Sequence, residues 1–202
     1  MIEQLLKQYP LVSDQVDKKE LRLVLQALER ALENTSLGEI VEFGCYAGTT
    51  SLFISRILQA QKVPRQFHVY DSFEGLPEKR VEDQSSVGEM FRPGELSVSK
   101  KQFIQNYKKA GLLLPQIHKG WFENFSADDV PKKIALAFLD GDYYNSIKKS
   151  LCLIESRLVP GAIIVVDDYT SEALPGVARA VDEWLLTYPH KIRVEYSLAI
   201  IS

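Results

Sequence analysis

The chain predicts an α/β fold, a mostly parallel seven-stranded sheet with helices on both faces in a single domain. Three observations lead there. Short apolar runs alternate with helix-length amphipathic stretches along the whole 202-residue chain, the pattern of β and α elements in alternation. The two strongest runs, residues 134–139 and 162–166, are continuously apolar, as strands buried on both faces are. Both stop abruptly in carboxylates, Asp140-Gly141-Asp142 and Asp167-Asp168, and parallel sheets bind ligands at the carboxyl ends of their strands.

In chain order, residues 1–35 form an N-terminal helical segment whose main helix spans 17–32, with apolar residues at Leu21, Val24, Leu25, Leu28 and Ala31. Residues 40–43 read as the first strand, 44–50 as its turn and 51–60 as the next helix. A second strand, 66–70, ends in Asp71-Ser72. From 74 to 98 the composition shifts to Gly, Pro, Glu, Ser and Arg, with Met90 and Phe91 embedded. A stretch this long without periodicity is expected to be functional, and it reads as a mobile lid. A helix over 99–110, a strand over 116–119 and the exit Gly120-Trp121-Phe122 follow. After the strand at 134–139 come a helix over 146–158, the strand at 162–166, a helix over 175–187, and closing strands at 192–196 and 198–201.

Composition sets the class of protein. Hydrophobic residues make up 46% and charged residues 25%, proportions of an ordinary globular domain. A net charge of −3, with lysine pairs scattered over different elements, gives no field for a nucleic-acid backbone. Cys45 and Cys152 sit in apolar settings without metal-ligand or CxxC spacing and read as core residues of a reducing compartment. No apolar run reaches membrane-spanning length and the first residues lack the features of a signal peptide, so the expectation is a cytoplasmic protein without a membrane partner.

Asp140, Asp142, Asp167 and Asp168 would lie together at one sheet edge. Four carboxylates that close cannot all stay ionised unless a cation sits among them, so they read as a hard-metal site; taken singly, each is a turn or helix-cap residue. Gly44-x-x-x-Gly48 is a weak signal, equally a sterically tight helix entry. The dinucleotide fingerprint requires glycine where Tyr46 and Thr49 stand, so the turn does not cradle a pyrophosphate. An adenosine without phosphates fits better, with Asp71 either accepting from ribose hydroxyls or capping a turn.

Five strings carry a resemblance over nearly the whole chain: Val41-Glu42-Phe43-Gly44-Cys45-Tyr46-Ala47-Gly48-Thr49-Thr50, Asp71-Ser72-Phe73-Glu74-Gly75-Leu76-Pro77, Lys119-Gly120-Trp121-Phe122, Asp140-Gly141-Asp142-Tyr143-Tyr144-Asn145-Ser146 and Val166-Asp167-Asp168-Tyr169. Together they resemble the macrocin O-methyltransferase family, whose first motif commonly has serine where Thr50 stands. The resemblance implies a Rossmann-like class I methyltransferase fold, S-adenosylmethionine and magnesium as cofactors, and a small-molecule sugar or natural-product acceptor with vicinal hydroxyls. It assigns Asp142, Asp167 and Asp168 to the metal and Asp140 to the general base that deprotonates the metal-bound hydroxyl. Glu42, Gly44, Tyr46, Gly48, Thr50, Asp71, Ser72, Trp121 and Phe122 fall at the cofactor in the same pattern. Glu42 would face its methionine portion, with a cap as the competing role, and the aromatics compete with a plain core role.

The chain is short at both ends against the family pattern, which puts an acceptor as bulky as a macrolide in doubt. A catechol-type phenolic acceptor is the runner-up, disfavoured by the few aromatics in the 74–98 segment. A non-catalytic S-adenosylmethionine-binding protein is the alternative from another class, and a homo-oligomer stays open. His68, His118 and His190 read as core or surface residues outside the chemistry.

Overall fold

The computed structural model describes residues 1–61 and 65–202. Its elements are α1 (Ile2–Gln8), α2 (Lys18–Asn34), β1 (Glu39–Phe43), α3 (Thr49–Ala60), β2 (Phe67–Asp71), α4 (Lys100–Ala110), β3 (Gln116–Lys119), β4 (Ile134–Leu139), α5 (Tyr144–Ile154), β5 (Leu158–Val166), α6 (Pro175–Thr187), β6 (Ile192–Glu195) and β7 (Leu198–Ile201). Among the described residues seven strands form one sheet in the order β3-β2-β1-β4-β5-β7-β6. β1 to β5 run parallel, and β7 lies antiparallel to both β5 and β6.

Residue parity along the strands sorts the core into two layers. Ile40, Val69, Leu136, Phe138, Ile163 and Val165 pack with apolar residues of α2, α3 and α4. Val41, Phe43, Ala137, Leu139, Ile164 and Val166 pack with α5 and α6. β4 is buried at every position, as its unbroken apolar run requires. The chain leaves β1 toward β2 and β3, then returns to β4 on the other side of β1. The reversal in strand order therefore falls between β1 and β4, where open α/β sheets bind ligands.

Four elements differ from the sequence expectation. Residues 2–8 form α1, which buries Ile2 and Leu6 against the α2 side of the core; the apolar spacing is helical but the element is too short to stand out. The helix expected to run to Leu158 ends at Ile154, and β5 begins at Leu158 rather than Ala162. Pro160-Gly161 reads as a turn, yet the strand absorbs it: Leu158 pairs with Ile134, Ile163 with Leu136, and the register shifts between them. Proline, having no N–H to give a ladder, is tolerated at such a bulge. Tyr196, expected to extend the sixth strand, is instead in the β6–β7 turn with φ 53°.

Gly44 permits the closest approach at the reversal point. Its φ is 87°, and a Cβ there would fall on the main-chain carbonyl oxygen of Asp140. Gly88, with φ 106°, has nothing within 4 Å of a built Cβ, so it isolates conformational strain from overlap. Gly44→Ala is expected to cost about 3 kcal/mol or more, and Gly88→Ala about 1 kcal/mol. Urea denaturation of both variants, compared at constant slope, checks the difference.

Candidate active site

The sheet's hydrogen bonding continues one step beyond the strands. Gly120 N donates to Asp71 O at 2.9 Å, Gly44 N to Tyr70 O at 2.9 Å, Asp140 N to Phe43 O at 2.8 Å and Asp167 N to Leu139 O at 2.9 Å. Each residue that leaves a strand is thus still tied to the neighbouring strand. The five parallel strand ends share one rim, and Gly44, Asp71, Gly120, Asp140 and Asp167 stand along it.

Beyond the rim the backbone turns left-handed at two aspartates, Asp142 with φ 59° and Asp168 with φ 57°. Aspartate tolerates this region better than most side chains, and such positions concentrate at functional sites. The turns help fold the carboxylates back over the sheet edge. One carboxylate oxygen from each of Asp140, Asp142 and Asp168 lies within 4.8 Å of the others. Asp167 stands beside this group with Oδ1 engaged, accepting from Asp168 N at 2.8 Å and from the Ser197 hydroxyl at 3.1 Å.

Burial is the largest cause of the electrostatics here, and the aspartates' mutual repulsion adds to it. Burial and the charges of Asp167, Asp142 and Asp168 push Asp140 well above the usual carboxylate range. Burial and the charge of Asp168 do the same to Asp142. Burial also raises Asp168 to about 7, with Asp167 adding to it, and Asp167 to about 6, against the opposing hydrogen bond from Asp168 N. Near neutral pH the bare cluster would hold protons. A divalent cation would replace them, and this all-oxygen donor set suits a hard ion such as magnesium.

The aspartates form one end of a cleft with about 1050 Å³ of empty space counted out to its mouth, whose other walls include Gly44, Tyr46, Asp71, Ser72, Trp121 and Phe122. Asp71 organises the turn after β1. Its Oδ2 accepts from Cys45 N at 2.8 Å and Tyr46 N at 3.2 Å, and its Oδ1 from Phe73 N at 2.7 Å. A carboxylate has about four acceptor positions, so Asp71 caps the turn and still presents a free lone pair to the cleft. The turn-cap role expected from the sequence is present, in a side chain that also lines the cleft.

Glu42, Gly48 and Thr50, expected at the cofactor, are not among the residues that line this cleft. Strand parity sends Glu42 to the α3 side, where it is 1% exposed and accepts from the Ser51 hydroxyl. Burial, reinforced by the charge of Asp71, raises its pKa to about 8. Gly48 is the left-handed N-cap of α3, and a Cβ there would meet the Phe103 ring. Thr50 is buried in the first turn of α3.

The segment 74–98 lies over one side of the cleft, contributing Gly75, Leu76, Pro77, Phe91 and Leu96. It is held more firmly than its composition suggests. The carboxylate of Asp83, 1% exposed, accepts from Tyr144 N at 2.7 Å, and the Tyr143 hydroxyl donates to Phe91 O at 2.9 Å. Met90 stays half exposed and is absent from the cleft wall.

Sequence reasoning missed Gln15, Glu20 and Ser197. Gln15 and Glu20 line the cleft. Glu20 also accepts from the Ser197 hydroxyl at 2.6 Å. That hydroxyl has one proton and two carboxylate neighbours, Glu20 and Asp167, so it ties α2 and the β6–β7 turn to the acidic end of the cleft. Glu20's place in the first turn of α2 is the sort of signal a helix cap gives, and nothing local marks Ser197. His68 bridges Glu39 at 2.6 Å and His118 at 3.1 Å, away from the cleft, as its strand position implied.

The chain is similar to known proteins over most of its length. The family profile described as Macrocin-O-methyltransferase (TylF) matches residues 8–194. A tetracenomycin enzyme of Streptomyces olivaceus, 8-demethyl-8-(2,3-dimethoxy-alpha-L-rhamnosyl)-tetracenomycin-C 4'-O-methyltransferase, is 32% identical over 164 residues, 78% of this chain and 63% of the relative. Mycinamicin III 3''-O-methyltransferase of Micromonospora griseorubida is 29% identical over 185 residues, 87% of this chain and 72% of the relative. The chain thus spans less than two thirds of the tetracenomycin enzyme's length. Among solved structures, the O-methyltransferase NovP superposes with a TM-score of 0.82 at 25% identity, covering 93% of this chain and 80% of that one. The calicheamicin methyltransferase CalS11 superposes at 0.77 with 19% identity, covering 99% of this chain and 89% of that one, a likeness of fold.

The buried Glu42 makes stability fall with rising pH. A carboxyl whose pKa is raised in the folded state stabilises fully below its ordinary value of 4.5 and loses that contribution as pH climbs through about 8. Glu42→Gln keeps the acceptor for Ser51 and removes the titration. Between pH 5 and pH 8.5 the wild type should lose roughly 3 to 4 kcal/mol more unfolding free energy than Glu42→Gln. Denaturant titrations at both pH values check this, and parallel curves would remove Glu42 as the cause.

Proposed function

The chain belongs to the macrocin-O-methyltransferase family, and from that membership we propose that it methylates a sugar hydroxyl of a natural-product acceptor. The methyl donor is S-adenosylmethionine and the reaction depends on a divalent cation held at the acidic end of the cleft. One observation carries the reading: carboxylates that repel one another are held together at the strand ends, in the wall of the same cleft as the Gly44 turn and Asp71. A protein that only packed its core would have no use for that cluster.

When bound, the donor supplies an electrophilic methyl group and the cation acidifies a coordinated hydroxyl. The chain's own residues do the rest. Asp142, Asp167 and Asp168 would hold the cation, the carboxylates of the first and last lying in the converging group and Asp167 beside it. Asp140 takes the proton of the acceptor hydroxyl. Its place suits that role, since β4 lies directly beside β1 and Asp140 abuts the Gly44 turn where the donor would sit. Asp71 and Ser72 would meet the donor's ribose, Trp121 and Phe122 would flank it, and Phe91 with Leu96, in the same cleft wall, would shield the site from water.

A second reading of the cluster follows from the convergence of Asp140, Asp142 and Asp168. In it Asp140 is a ligand, Asp167 is not, and the base is a different member of the group. The two readings agree on the reaction and differ in two substitutions.

The test combines cation titration by calorimetry, using manganese as probe, with single-turnover transfer from labelled S-adenosylmethionine to a panel of sugar diols. Asp142→Ala and Asp168→Ala should weaken cation binding by about tenfold or more. Asp140→Asn should leave cation affinity within about threefold while slowing transfer by roughly two to four orders of magnitude. If Asp140→Asn loses the cation and Asp167→Asn keeps it, the second reading holds. A wild-type protein that binds neither S-adenosylhomocysteine nor manganese would sink both.

A further inference from the structure

β6 closes one side of the sheet, and among the described residues no strand pairs with its outer edge. Its backbone directions follow from the β6–β7 ladder. Lys191 and Ser202 exchange two backbone hydrogen bonds, each 3.0 Å, and bonded and non-bonded pairs alternate from there. Arg193 and Glu195 therefore turn their N–H and C=O groups inward to Ile200 and Leu198. Ile192 and Val194 turn theirs outward, where no strand among the described residues pairs with them.

The same outward-bonding residues carry exposed apolar side chains. Ile192 is 38% exposed, Val194 43%, and Tyr196 in the adjoining turn 60%. Ile192 and Val194 continue the face of Ile201 and Ala199, the α5–α6 side of the sheet. Arg193 and Glu195 occupy the opposite face and pair with each other. Natural sheets blunt such edges with lysine, proline or a covering segment, and β6 has neither lysine nor proline.

We propose that β6 pairs antiparallel with β6 of a second copy about a two-fold axis at Val194, joining two sheets into one. Outward-bonding residues can face only outward-bonding residues, which centres the axis on a residue of the strand, and an axis at Ile192 would set Arg193 opposite Lys191 of the second copy, like against like. An axis at Arg193 sets that charge against its own copy, and an axis at Glu195 does the same. Like charges directly opposite destabilise a strand pair. The axis at Val194 sets each Arg193 opposite Glu195 of the second copy, in the non-bonded position where side chains come closest. It also lets the two Val194 residues exchange their free N–H and C=O groups and places Ile192 opposite Tyr196. The four residues Ile-Arg-Val-Glu are self-complementary in one register.

Sedimentation velocity of the full chain over a concentration series tests this. The expected species is a dimer of the 22.9 kDa chain. Val194→Pro deletes an N–H that points away from β7, so it should give a monomer whose unfolding midpoint is close to that of the wild type. Arg193→Glu should raise the dissociation constant by about tenfold, since both symmetric pairs become like-charged. Combining it with Glu195→Arg should restore dimer affinity. A monomer at every concentration would overturn the proposal, as would a dimer that Val194→Pro leaves intact. So would a double exchange that stays as weak as the single one.

Discussion

The repulsion among Asp140, Asp142, Asp167 and Asp168 is the constraint around which the strand ends are arranged. Left to themselves these side chains would turn apart into water. The fold prevents that by extending the backbone ladder past the strands to Asp140 and Asp167, and by folding Asp142 and Asp168 back with left-handed turns. Each of those turns costs of order 1 kcal/mol in a non-glycine residue, so the cluster is assembled against two opposing terms, backbone strain and charge. The rest of the sheet supplies the compensation, since β4 is buried along its whole length and β1 and β5 are buried over the four residues that lead to the rim, which anchors the residues that bear the strain.

How much of this was legible depends on how local the signal is. Continuous apolar runs that end in aspartate revealed β4 and the last half of β5, because a strand buried on both faces has little freedom in composition. The first half of β5 was hidden by Pro160-Gly161, whose local preference is a turn; only pairing with β4 makes it a bulge. Glu42 could have been placed by counting. In β1, Ile40 faces the α3 layer and Val41 and Phe43 the other, so period two sends Glu42 toward α3 rather than along the cleft. Glu20 and Ser197 are 177 residues apart, and no window of sequence contains both. Their meeting is set by where α2 crosses the sheet end, which is a property of the assembled fold.

Asp71 shows why motif residues resist a single label. Read as a carboxylate at the end of the second strand, it suggests recognition of hydroxyls. Read as an aspartate beside a tight turn, it suggests a cap. Both follow from the same geometry, because capping Cys45, Tyr46 and Phe73 by three backbone N–H groups is what holds the carboxylate at the cleft wall. A side chain with four acceptor positions can be rigid and still available. The bonds that preorganise the β1 turn are thus the same ones that hold this carboxylate at the cleft wall, where the proposed donor would meet it.

The β6–β7 hairpin joins the two ends of the argument. Its turn residue Ser197 bonds to Glu20 and to Asp167, so the hairpin is a wall support for the acidic end of the cleft. Its outer strand presents unpaired backbone and an alternating arginine and glutamate. Parity separates the duties along the strand: odd residues bond inward to β7 and even residues bond outward. A second copy added at the edge would therefore draw on groups that the site does not use, while stiffening the strand from which Ser197 is hung. In a two-stranded margin joined to β5 by only three paired residues, added strand pairing is the available source of rigidity, because short ribbons are marginal by themselves.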